Sequence, residues 1–134
     1  VVRVSLAVAV AQAACATIAP YNQTEYESAT SLKVESLAMM ARMSSPYADH
    51  RVEAEALQMQ LDKAYEYAKG LPHNEISAQQ WAILRNPDGH MVGGMLRRWQ
   101  AEGQLSQTFV SEMIGQVSKG FDELIALESQ KLKD

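Results

Sequence analysis

Residues 46–69, PYADHRVEAEALQMQLDKAYEYAK, decide the fold class. Tyr47, His50, Ala54, Leu57, Leu61, Ala64 and Ala68 follow one another at alternating steps of three and four, which places them on one face of an α-helix. Alanines along that seam allow a second helix to approach closely. Pro46 suits a first helical turn, where no amide hydrogen is needed. Gly70 and then Pro72 predict the stop: a left-handed glycine cap followed by a residue that cannot continue the helix.

The same periodicity extends to both sides. Residues 22–44 open with TEYE, in which Thr24 and Glu27 have the spacing of a capping box. Tyr26, Ala29, Leu32, Leu37, Met39, Met40 and Met43 then share a broad apolar face, with Glu27, Glu35 and Arg42 away from it. Downstream, Ser77 and Gln80 repeat the box ahead of a short helix over 78–85 that carries Trp81, Ile83 and Leu84. The run NPDG at 86–89 has Pro and Gly where a type I turn favours them. Residues 90–101 are helical through Met91, Val92, Met95, Leu96 and Trp99, although Gly93 and Gly94 each cost roughly 1 kcal/mol relative to alanine. Such a pair implies a close neighbour or a kink. After Gly103, Ser106 is the expected cap, with Leu105 and Val110 placed as a hydrophobic staple. Phe109, Val110, Met113, Ile114, Val117, Phe121, Leu124, Ile125 and Leu127 form the longest apolar stripe, closed by a charged tail. No segment alternates in the manner of a strand. The expectation is an all-α domain over 24–134, a single compact bundle of four to five helices.

Composition limits the function classes. A chain of 134 residues, 47% hydrophobic and 21% charged, is of a size for one packed domain. The net charge of −4 and scattered Lys and Arg leave nucleic-acid binding without an electrostatic footprint. One cysteine excludes an internal disulfide and a CxxC zinc site. His50, His73 and His90 never stand three or four residues apart, so no helical metal motif is formed. Seven methionines could serve a haem or copper site together with His, but Met39, Met40 and Met43 are already explained as core. There is no GxSxG, no phosphate loop and no GxGxxG. Glu25, Glu27, Glu35, Asp49, Glu53 and Glu55 read as solvated helix faces. No catalytic residue, metal or cofactor is assigned.

The most individual stretch is 76–100, ISAQQWAILRNPDGHMVGGMLRRWQ. Trp81, His90, Arg97, Arg98 and Trp99 make it the candidate interaction surface, because Trp and Arg are enriched at binding hot spots. A competing reading buries both tryptophans where short helices cross.

At the N-terminus, residues 6–15 read LAVAVAQAAC, an apolar run of signal-core length ending on the only cysteine. The small residues AQAA stand directly before Cys15, and ATIAPYNQ follows it. This pattern resembles the signals of small bacterial lipoproteins, in which a small-residue box precedes a cysteine that is lipidated and becomes the new N-terminus. The resemblance implies a signal over 1–14, lipid attachment at Cys15, a tether over 15–23 and membrane attachment through the lipid. Ala16, not being Asp, implies the outer membrane of the cell envelope, facing the periplasm. On this reading the bundle is a non-enzymatic interaction or structural module with a possible protein partner. Three other readings stay open: an uncleaved membrane anchor, a periplasmic bundle binding a metal or haem through His and Met, and a soluble cytoplasmic protein with residues 4–18 as a core helix.

Overall fold

A computed structural model describes residues 18–133, and all regular structure among them is helical. The elements are α1 (Gln23–Met40), a 3₁₀ turn (Tyr47–Asp49), α2 (Arg51–Gly70), α3 (Glu75–Arg85), α4 (Val92–Glu102) and α5 (Gln107–Gln130). They form four columns. Helix α1 rises, α2 descends beside it, α3 and α4 rise in succession along α2, and α5 descends against α1 and α3. The third column is one helix broken in two: Gln58, midway along α2, donates to the carbonyl of Arg85 at the end of α3 (3.0 Å). At the top, the amide of Tyr47, ahead of α2, donates to Gly103 beyond α4 (2.7 Å).

The break follows from residues 86–94. Asn86 takes an extended conformation, Pro87 offers no amide, and the amide of Gly89 closes the turn on the carbonyl of Asn86 (3.0 Å). Restarting the helix immediately brings backbones together. A Cβ on Gly93 would fall inside the carbonyl of Arg85, and one on Gly94 inside the carbonyl of Gly89. The double glycine thus marks close approach to the end of α3 and to the turn itself, which offsets its propensity cost.

Several sequence expectations need correction. Asn22, not Thr24, caps α1, its Oδ1 accepting the amide of Glu25 (3.1 Å). Pro46 is extended and precedes the 3₁₀ turn, so α2 starts at Arg51. Tyr47 and His50 stay on the seam as aromatic neighbours of Trp99, with ring centroids 5.2 and 5.7 Å away. Gly70 is not left-handed. The helix runs through it to an extended Leu71, and among the described residues the left-handed ones are His73 (φ 58°) and Gly103 (φ 80°). Helix α3 begins at Glu75, because Ser77 is a buried side chain inside the helix and not its cap. Ser106 does cap α5, accepting the amide of Phe109 (3.3 Å).

The core runs along all four columns. It includes Leu57 and Leu61 from α2, Trp81 and Leu84 from α3, Trp99 from α4, and Val117, Phe121 and Leu124 from α5. Trp81 meets Phe121 edge to face at 6.2 Å. The Nε1–H of Trp99 donates to the carbonyl of Ser45 (2.9 Å), so its one polar atom is satisfied inside the core.

The lower end of the bundle is fixed by the segments that flank α1 and α5. Ala19 is buried, its amide donates to His73 O (3.0 Å), and the amide of Tyr21 donates to Leu132 O (2.8 Å). Residues 19–22, read from the sequence as tether, therefore belong to the folded domain. Residues 1–14, read from the sequence as a signal, Cys15, and nearly all of the 4–18 segment lie outside the described residues.

Candidate functional site

The lower end also holds a cluster of charged groups removed from water. Glu25 comes from α1, Asn74 and Ser77 from the start of α3, Glu128 from the last turn of α5, and Lys131 from just beyond it. The ionic side chains are 1%, 0% and 2% exposed for Glu25, Glu128 and Lys131. They are there because of register. Glu25 precedes Ala29, Leu32, Ser36 and Met39 at steps of four, three, four and three, and Glu128 and Lys131 extend the Val117, Phe121, Leu124 stripe in the same way.

The ammonium of Lys131 donates to Glu25 Oε2 (3.1 Å), Asn74 Oδ1 (2.6 Å) and Glu128 Oε1 (2.9 Å). Asn74 Nδ2 donates to Glu25 Oε1 (2.6 Å) and to the carbonyl of Ala68 (2.9 Å), and Ser77 Oγ donates to Glu128 Oε1 (2.5 Å). Glu128 Oε2 lies 2.8 Å from the same ammonium but off hydrogen-bonding geometry. Two carboxylates thus share one cation in a dry site. Burial pushes the Glu25 carboxyl above its usual range, with the Glu128 charge adding to the rise and Asn74 and Lys131 opposing it. Chemically, the cluster is a clasp: it joins the first turn of α1, the start of α3 and the C-terminal segment, and it can hold a proton.

The residues singled out from the sequence divide. Trp81 and Trp99 are buried and cannot face a partner, as the competing reading held. His90, Arg97 and Arg98 are exposed, but Arg97 pairs with Asp88 and Arg98 with Glu102 (2.6 Å) while lying over Phe109 (4.2 Å). His90 and Arg98 line a hollow of about 220 Å³ with Met95, Phe109 and Met113. The five residues therefore do not form one surface. Among the described residues, no three His, Cys, Asp or Glu converge as a metal site, and no helix is long and apolar enough to cross a membrane.

A larger open surface lies between α1 and α2. Two hollows of about 350 and 410 Å³ share Glu35 and Gln60 and so form one groove. Ala38, Met39, Ala56 and Leu57 floor its upper half. Arg42 is paired with Glu53 (3.4 Å) at one end, which leaves Glu27 and Glu35 as carboxylates on the rim with no cation against them among the described residues. Residue identities alone do not reveal this groove, because it depends on how far α1 and α2 stand apart. No family model matches the chain, and no curated protein or solved structure does so either.

Proposed function

We propose that the chain is a lipid-anchored protein of the bacterial cell envelope, held through Cys15 at the outer membrane on its periplasmic side, and that its bundle acts by binding rather than by catalysis. One observation carries the reading. The only cysteine follows a small-residue box and stands four residues before Ala19, whose amide is hydrogen-bonded to His73 of the domain. That spacing in sequence suits an attachment point just ahead of the domain. The α1–α2 groove is the binding face of this reading. Its apolar floor and the Glu27 and Glu35 rim suit an amphipathic partner helix with a basic flank.

The experiment is expression of the wild type and Cys15→Ser with radiolabelled palmitate, with and without an inhibitor of the lipoprotein signal peptidase. Label on the wild type, none on the variant, and a heavier species under inhibitor are expected. A wild type that takes up no label and does not shift would remove the reading.

A further inference from the structure

We infer that the end of the bundle where residues 18–21 meet residues 131–133 is a membrane-contact face, seated on the headgroups of a bilayer containing anionic lipid. The inference rests on the lipid-anchor reading of Cys15. Four residues separate Cys15 from Ala19, so the fold begins at most about 14 Å from the lipidated residue even with the chain fully extended. A headgroup layer is itself roughly 5–8 Å deep. The anchored domain therefore has this end against the membrane, with no long tether to let it turn away.

The chemistry of that end suits the position. Ile18 is 54% exposed and Leu132 is 83% exposed. Leu132 is not on a loose tail: its carbonyl accepts the amide of Tyr21, and the preceding Lys131 is locked among Glu25, Asn74 and Glu128. A large apolar side chain is thus held outward by a fixed backbone. Lys133 lies over the Tyr21 ring at 4.6 Å, giving a cation beside an aromatic of the type found at membrane interfaces. Pro20, Pro72 and His73 complete the exposed rim. The carboxylates Glu25 and Glu128 on the same end are buried against Lys131, while Glu66 and Glu75 are exposed near it together with the cation Lys69, and Glu27 lies a turn further up α1. The opposite end, at Ala48, is about 36 Å away, the length of the 24 residues of α5.

The test uses the full chain in the Cys15→Ser background, so that no lipid holds it. A nitroxide is placed at the contact face (Leu132→Cys) or at the opposite end (Ala48→Cys). Each protein is mixed with vesicles of phosphatidylethanolamine and phosphatidylglycerol, and collision with an aqueous nickel chelate is measured. The label at 132 should lose accessibility several-fold while the label at 48 is unchanged, and Lys133→Glu should lessen the loss. Equal accessibility at 132 with and without vesicles, equal loss at both sites, or protein that stays off the vesicles would overturn the inference. Palmitate labelling of the wild type reports on Cys15 separately, so failure of the anchor and failure of the face are told apart.

Discussion

Replacing Lys131 by methionine is the most informative perturbation of the bundle. Methionine keeps much of the side-chain volume but leaves Glu25 and Glu128 in a dry site with only Asn74 and Ser77 as donors. Breaking a buried ion pair by removing one partner costs about 3–5 kcal/mol, because the remaining charge stays out of water. Against about 5–15 kcal/mol for a domain of this kind, that is a large share. At roughly 4 °C per kcal/mol the melting temperature should fall by about 12–20 °C. The loss should also depend on pH. The Glu25 carboxyl, already raised by burial, can escape by taking up a proton, so Lys131→Met should be less harmful at acid pH than at pH 8. Urea unfolding followed by the fluorescence of Trp81 and Trp99, both buried, measures this directly. A loss below about 1 kcal/mol at pH 8, or one that is the same at both pH values, would show that the ammonium does not sit between the two carboxylates.

Other perturbations address separate parts of the structure. The Glu25 carboxyl is raised above 4.5 in the fold, so its share of stability is present below 4.5 and is lost as pH rises through the folded value; Glu25→Gln should flatten that fall in a pH series of unfolding curves. Gly93→Ala places a methyl group on the Arg85 carbonyl and should destabilise by about 1–3 kcal/mol in the same assay, whereas Gly115→Ala, with open space around it, should not. Deleting residues 1–14 should leave the melting temperature unchanged, while deleting 1–21 removes buried Ala19 and two backbone hydrogen bonds and should cost about 1–3 kcal/mol. If the shorter deletion unfolds the protein, residues 4–18 are core. A fluorescent amphipathic helix with lysines along one flank should bind the wild type, and Glu35→Lys should weaken its anisotropy signal several-fold.

The apolar seams make most of the fold legible in the sequence. Ala54, Leu57, Leu61, Ala64 and Ala68 are buried as their spacing requires, and the stripe through Val110, Val117, Phe121 and Leu124 does form the longest helix among the described residues. The NPDG turn and the paired glycines also signalled the broken column. Helix starts were less accurate, because Thr24 and Ser77 satisfy capping spacing without occupying caps. The buried cluster was missed for a physical reason: pattern reading assigns Glu, Lys and Ser to solvent by type. Register held the signal, since Glu25, Ser36, Glu128 and Lys131 all fall in step with buried apolar neighbours. Which buried charges find partners depends on elements 49 to 106 residues apart meeting at one end, and no local pattern encodes that.

Intact-mass measurement of the protein extracted from membranes bears on the whole of this reading. It should give a chain starting at Cys15 and heavier than its residues by a diacylglyceryl group and an amide-linked acyl chain. A chain that retains residues 1–14, or one that starts at Cys15 with no added lipid mass, would contradict it.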